Sequence, residues 1–342
     1  MRTNKGDFME KILVTGGCGY IGSHTLLEFL EQTDCEFLLI DDLSTGFREN
    51  LAFLQAKFPH RIEFFCLDLA DHHEVEKIFS SQKIEGVLHF AAALSVEEST
   101  KNPLFYYKNN TLNTTFLLEL CSKYQVSFFI FSSTAAVYGQ PDFDVISEDF
   151  PLQPINPYGA SKMMSERILQ DLSNTSDLKF GILRYFNVAG ANSIGEMGLG
   201  QRSKNATHLI KVAVECATKK RTKMGVFGDD YPTKDGTCIR DYIHINDLAS
   251  AHLSAYQFLK HTGQSEIFNV GYSRGYSVKE IIESVKRVTK QDFLVEEMPR
   301  RAGDPAKLIA NNQKILRLTN WRPKFDDIEM IIKSAYEWEK ML

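Results

Sequence analysis

Six short apolar runs punctuate the first 190 residues, and each is followed by a longer, amphipathic stretch of helical character. The runs are Lys11-Ile12-Leu13-Val14-Thr15, Phe37-Leu38-Leu39-Ile40-Asp41, Ile62-Glu63-Phe64-Phe65-Cys66-Leu67, Gly86-Val87-Leu88-His89-Phe90, Phe128-Phe129-Ile130-Phe131-Ser132 and Phe180-Gly181-Ile182-Leu183-Arg184-Tyr185. Their length and near-continuous apolarity suit strands buried on both faces, the environment of a parallel sheet covered by helices on either side. The alternation of strand and helix predicts an α/β fold built on a doubly wound parallel sheet, with ligands beyond the carboxyl ends of the strands.

After about residue 190 the regularity fades. A Gly-rich loop from Gly190 to Gly200 leads into a helix expected near Thr207 to Arg221, and the strand-like segment Glu266 to Gly271 rejoins the sheet. With 342 residues the chain suits about two domains. The expected division is a nucleotide-binding domain over residues 9–190 and a smaller, non-contiguous carboxyl-terminal lobe over 191–342, with segments near 240–271 returning to the sheet. Residues 1–8, ahead of Met9, are left out of the fold.

Charge and cysteine usage exclude several classes. The 39 Lys and Arg residues stand against 44 Asp and Glu, a formal net charge of −5, which opposes a sequence-independent grip on nucleic acid or an anionic membrane. No run approaches the roughly 20 apolar residues of a membrane helix, and the amino-terminal segment lacks the apolar core of a signal peptide, so a cytoplasmic location is expected. The six cysteines are scattered without a Cys-x-x-Cys pair, which suits small apolar fillers rather than a disulfide framework or zinc site. His72 and His73 are adjacent and would diverge on a helix, so no metal is expected.

The first run opens into Gly16-Gly17-Cys18-Gly19-Tyr20-Ile21-Gly22, glycines at every third position at the start of a helix. Glycine allows a tight turn and close backbone approach, while the helix amino terminus offers free N–H groups and a positive dipole to a pyrophosphate. Asp41 ends the second run, 19 residues after Gly22. A carboxylate there accepts hydrogen bonds from an adenosine ribose and repels a 2′-phosphate, which favours NAD over NADP; its bland alternative is a cap or turn residue. Asp68, closing the third run, is placed either to contact adenine or to cap a loop.

In Pro157-Tyr158-Gly159-Ala160-Ser161-Lys162 a tyrosine and a lysine stand four apart, on one face of a helix. The same spacing recurs at Tyr256/Lys260 and Tyr336/Lys340, so context decides: only Tyr158 follows the fifth run, which ends in the hydroxyls Ser132-Ser133-Thr134. A phenol of ordinary pKa about 10 must fall to about 7 to act as a base near neutrality, some 4 kcal/mol. One cation about 4 Å away at an effective dielectric near 20 supplies energy of that order. Lys162 and an oxidised nicotinamide are the two sources, and Thr134, or Ser133 beside it, would hydrogen-bond the substrate oxygen.

These residues resemble the extended short-chain dehydrogenase/reductases. Further blocks, Val14-Thr15-Gly16-Gly17-Cys18-Gly19-Tyr20-Ile21-Gly22-Ser23-His24, His89-Phe90-Ala91-Ala92, Tyr106-Tyr107-Lys108-Asn109-Asn110, Arg184-Tyr185-Phe186-Asn187 and the stretch from Asp230 to His244, are similar to the UDP-glucose 4-epimerases within them. The likeness spans about residues 10 to 340. It implies a Rossmann-type domain and isomerisation at sugar C4 with a tightly held NAD. Hydride leaves C4 while Tyr158 takes the hydroxyl proton, the planar 4-keto sugar turns over, and hydride returns to the other face. Carried over residue by residue, the resemblance assigns Tyr158, Lys162 and Thr134 to catalysis. It assigns Gly16, Gly19, Tyr20, Ile21, Gly22, Asp41, Asp42, Asp68, Phe90, Ala91, Asn109, Lys162 and Phe186 to NAD. The UDP-sugar falls to Thr134, Tyr158, Asn187, His208, Leu209, Val226, Phe227, Arg240, Arg301 and Leu308. Two arginines suit a diphosphate, because guanidinium offers a fixed fork of donors.

Three positions depart from the pattern. Leu94 stands where many members carry lysine, so one NAD contact is expected to be missing. His208 replaces a common asparagine. Leu308 occupies the place of a tyrosine that crowds the sugar's C2 substituent in glucose-restricted members, which predicts room for an N-acetyl group and activity on UDP-GlcNAc/UDP-GalNAc as well as UDP-glucose/UDP-galactose. A nucleotide-sugar 4,6-dehydratase would need Asp-Glu after the strand-end threonine, and Thr134 is followed by Ala135-Ala136. A non-catalytic NAD sensor on the same fold would not need the Tyr158, Lys162 and Thr134 set. The segments Pro103 to Tyr124 and Pro157 to Leu172 have apolar residues on more than one face, and family members dimerise through these two helices, so a homodimer is expected.

Overall fold

A computed structural model describes residues 9–342 apart from 142, 144, 195, 196, 204, 205 and 302. All six apolar runs form strands, and Glu266–Val270 adds a seventh. They are β1 (Lys11–Thr15), β2 (Glu36–Ile40), β3 (Ile62–Phe65), β4 (Gly86–His89), β5 (Phe128–Thr134), β6 (Lys179–Tyr185) and β7 (Glu266–Val270). The spatial order is β7-β6-β5-β4-β1-β2-β3, parallel at each pairing. This is a doubly wound Rossmann-type sheet whose order reverses between β1 and β4, and the crevice at their carboxyl ends is where such sheets bind nucleotides.

The unbroken apolarity of the runs has a simple cause. Successive strand side chains point to opposite faces, and here both faces are covered. Ile12, Val14, Phe37 and Leu39 pack on one side with Leu26 and Phe29 of the helix Tyr20–Gln32 and with Leu248, Ala251 and Ala255 of the helix Ile245–Thr262. Leu13, Leu38, Val87, Phe129 and Phe131 pack on the other with Leu117, Leu118 and Leu169 from the helices Asn113–Lys123 and Pro157–Ser173.

The remaining strands form smaller sheets outside the seven-stranded one. Ile239–His244 runs antiparallel to Gly275–Ser277 and parallel to Lys307–Ala310, which in turn pairs with Val145–Ile146. The chain leaving β6 joins this second sheet at once, because Asn187–Ala189 pairs with Tyr242, Ile243 and His244. A separate pair, Lys223–Phe227 and Leu294–Met298, lies parallel. A small cluster of Ala135, Val137, Tyr138, Ile146, Phe186, Leu308 and Ala310 joins the second sheet to the end of β5. The helix expected near Thr207 to Arg221 is shorter, Leu209–Ala217, and stops where Lys219 takes a left-handed φ of 64°. All six cysteines are free thiols, four of them buried. Among the described residues no helix is long and apolar enough to cross a membrane.

Candidate active site

The loop after β1 is closed by contacts that leave no room for side chains. Gly16 has φ +72°, and a Cβ there would lie 2.6 Å from the Ala91 backbone nitrogen; at Gly22 it would lie 2.3 Å from the Gly16 carbonyl oxygen. Gly19 is the N-cap of the helix Tyr20–Gln32, makes no side-chain cap bond, and is followed by no acidic residue in the first turn. Other helices are capped by side chains, Asp71 for His72–Ser81 and Ser277 for Val278–Thr289 among them. An uncapped N-terminus with its backbone N–H groups aimed out of a tight glycine turn fits a pyrophosphate, so the cradle suits a dinucleotide.

Asp41, buried, accepts from the Cys18 and Leu43 backbone N–H groups, both at 2.9 Å. Burial raises its carboxyl pKa and those two bonds pull it back. Its carboxylate therefore braces the glycine loop and the turn after β2, which is the turn-holding reading of this residue. Asp42 is exposed and accepts from Ser44, and exposed Asp68 accepts from the Ala70 N–H. Both hold turns at strand ends. Phe90 and Ala91 close the crevice from β4, each with its N–H on the Thr15 carbonyl oxygen at 3.0 and 3.1 Å. His89 is buried between Thr15 at 2.6 Å and Thr114 at 2.9 Å, and burial holds it neutral. Tyr20 donates to the Gly190 carbonyl at 2.6 Å, while Ile21 is half-buried on the same first turn. Asn109 lies in a π-helical turn, Tyr107–Leu112, and donates to Asn110, whose own amide holds Ala93 and Ser161. Leu94 is exposed and offers no donor.

Thr134, Tyr158 and Lys162 converge where β5 meets the helix Pro157–Ser173. That helix begins with Asn156 accepting from the Gly159 N–H at 2.8 Å and with Pro157 in its first turn, a strong start signal that fixes Tyr158 at the rim. Tyr158 is hydrogen-bonded to the Thr134 hydroxyl and is met edge-on by Tyr106 at 6.4 Å. Lys162 is 3% exposed, with Nζ 4.5 Å from the centre of the Phe131 ring and no hydrogen-bond acceptor among the described residues. Burial pushes Lys162 down to about 7, opposed by Glu166 one turn on. The phenol is not depressed as the spacing suggested: burial raises Tyr158, and the Thr134 hydrogen bond only partly offsets this. Desolvation dominates at both groups in the protein alone, so the phenol needs a positive charge brought beside it to act as a base.

The expected substrate residues lie on separate elements. Leu308 is 7% exposed, packs with Ala135 and Phe186 beside Thr134, and stands opposite Arg240 in the strand register. Phe186, expected at the cofactor, is buried in that same cluster. Arg240 lies 3.8 Å from Asp304, and Arg301 stacks on Phe227 at 3.6 Å with its Nε buried and without a hydrogen-bond partner among the described residues. Val226 is buried next to Phe227 on Lys223–Phe227, Asn187 begins its short strand, and His208 and Leu209 cap and open the helix Leu209–Ala217. His208 is held by Gln201 at 3.1 Å.

Sequence reasoning missed the supports. Tyr106 is fully buried and anchored by Glu98 and the Ser95 N–H, and Glu166 is fully buried against Ser133 and Arg184. The available signal for Glu166 was its place four residues after Lys162, on the face that already carried Tyr158.

A family model for the NAD dependent epimerase/dehydratase family matches residues 12–271. A UDP-glucose 4-epimerase of Azospirillum brasilense is 43% identical, covering 97% of this chain and 92% of that protein. Among solved structures, the UDP-Glc/GlcNAc 4-epimerase of Campylobacter jejuni is 54% identical with a TM-score of 0.84, covering 97% of this chain and 100% of that one. A UDP-glucose 4-epimerase of Bifidobacterium longum, in complex with NAD+ and UDP, is 32% identical with a TM-score of 0.90, over 96% and 98% of the two chains.

Proposed function

The chain belongs to the NAD dependent epimerase/dehydratase family, and from that premise we propose that it inverts C4 of UDP-hexoses, interconverting UDP-glucose with UDP-galactose and UDP-GlcNAc with UDP-GalNAc. It is an isomerase, and its cofactor is NAD. The convergence of Thr134, Tyr158 and Lys162 beside the glycine cradle carries the reading.

Residues 9–190 hold the cofactor and residues 191–342 mainly the UDP-sugar. The open N-terminus after Gly19 receives the pyrophosphate, Asp41 the ribose, and the buried ammonium of Lys162 the second ribose. Bound NAD would supply reversible hydride acceptance at C4, which would make the net change an isomerisation. Thr134 orients the C4 hydroxyl, Tyr158 takes its proton, and the same phenol gives the proton back after the keto sugar has turned. Arg240 and Arg301 take the diphosphate.

Leu308 decides the width of the sugar pocket. It packs in the cluster that includes Ala135, the residue after Thr134, and a tyrosine ring there would demand more room than leucine takes. The 54% identity to the dual-specificity Campylobacter jejuni enzyme supports the N-acetyl pair. NMR time courses on separate samples of UDP-galactose and UDP-GalNAc, with no NAD added, are expected to show C4 inversion in both. Leu308→Tyr is expected to slow the UDP-GalNAc reaction by about tenfold or more with UDP-galactose conversion nearly kept. Equal losses on both substrates would refute the pocket assignment.

The protein acts as a cytoplasmic homodimer. Its six free thiols suit a reducing compartment. Leu104, Phe105, Leu112 and Met164 are exposed on the two segments expected to pair across the dimer axis.

A further inference from the structure

We propose that Glu166 is the positioning residue of this site: through Ser133 and Arg184 it fixes the helix bearing Tyr158 and Lys162 against the strand end bearing Thr134. The proposal rests on the epimerase reading above. Tyr158, Lys162 and Glu166 stand four residues apart in succession, so they share one helix face. Glu166 is fully buried, and its carboxylate accepts from the Ser133 hydroxyl and from Arg184, Nε at 3.0 and 3.1 Å and Nη2 at 2.6 Å. Ser133 immediately precedes Thr134. One carboxylate thus ties together the two elements whose separation sets the distance from Thr134 to Tyr158.

The chain of contacts continues outward. Arg184 Nη1 donates to the Tyr138 hydroxyl at 2.9 Å and to the Glu148 carbonyl at 3.1 Å. Tyr138 donates to Asn269 at 2.7 Å, and Asn269 donates to the Ile146 carbonyl at 2.8 Å. Ile146 pairs with Ala310, two residues beyond Leu308. The pathway therefore links the catalytic helix to the strand carrying the wall of the sugar pocket. A buried ion pair adds little net stability, because desolvation offsets its attraction, whereas a fully satisfied one fixes a single arrangement. Glu166 also supplies the negative charge nearest Lys162. The other ionisable groups around this pair are His89, held neutral on β4, Tyr158 on the same helix with Tyr185 of β6 beside it, Tyr138, raised by burial and by Glu166, and Arg184, which is committed to Glu166 and also faces Glu148.

Glu166→Gln keeps the shape and removes the charge. In steady-state assays with UDP-galactose it is expected to lower kcat about 10- to 100-fold with KM within about twofold. The alkaline limb of the kcat profile is expected to move to lower pH by about one pH unit, because Lys162 loses a neighbouring anion and its ammonium becomes easier to deprotonate. Ser133→Ala, which spares the ion pair, is expected to lower kcat severalfold with an unmoved limb and a melting temperature lowered by only a few degrees, from the one buried hydrogen bond lost. An unmoved alkaline limb in Glu166→Gln, or KM rising in step with falling kcat, would overturn the proposal. Should Glu166→Gln fail to fold, Ser133→Ala and Arg184→Lys decide together: lowered kcat at unchanged KM in both upholds the assignment, and wild-type kcat in either overturns it. The unmodified protein is assayed in parallel, and its failure to convert either UDP-sugar would refute the epimerase reading instead.

Discussion

Tyr158→Phe is expected to lower kcat for UDP-galactose conversion by about 10²- to 10⁴-fold, the usual contribution of a positioned acid–base group. The substitution removes only the hydroxyl that meets Thr134. The ring keeps its edge-on contact with Tyr106, and the helix start set by Asn156 and Pro157 is untouched. KM is therefore expected to stay within about threefold, since the interaction lost belongs to the transition state rather than to ground-state binding. Far-ultraviolet circular dichroism and the NAD content after denaturation are expected to match those of the unmodified protein. Activity retained within tenfold would remove Tyr158 from the catalytic role.

Gly22→Ala is expected to cost the protein its cofactor, with the NAD released on denaturation falling by at least about tenfold. The reason is steric: the new methyl would stand 2.3 Å from the Gly16 carbonyl oxygen and 2.8 Å from the Gly17 Cα, both backbone atoms of the tight turn itself. Either the turn opens or the first helical turn withdraws, and each outcome spoils the anion cradle. Gly181→Ala is the matched control, since a Cβ there meets nothing closer than 3.6 Å within β6. It is expected to keep both NAD and activity. Full NAD retention in Gly22→Ala would contradict the placement of the pyrophosphate at this helix.

Several features were legible before any coordinates. The continuous apolar runs identified the strands, because burial on both sides of a parallel sheet removes the polar alternation that a half-exposed strand would show. The glycine triplet and Asp41 were legible because a tight turn and a strand-end carboxylate are local demands on backbone and side chain. Which groups Asp41 holds became visible only in the folded chain, where its oxygens reach Cys18 and Leu43. The pairing of Tyr158 with Lys162 could be read from spacing, yet their protonation could not. Spacing reports proximity, whereas the burial that raises the phenol and brings Lys162 to about 7 comes from packing by distant segments such as Phe131.

The sequence by itself determined the doubly wound sheet, the glycine cradle and the helix that carries Tyr158, since periodicity, turn chemistry and capping act over a few residues. Only the tertiary structure decided what surrounds them. Glu166 meets Ser133 across 33 residues and Arg184 across 18, and Leu308 reaches Ala135 and Phe186 from the far end of the chain. Such contacts follow from strand order and register rather than from any local propensity. The charge state of the site depends on the low-polarity surroundings that these contacts create.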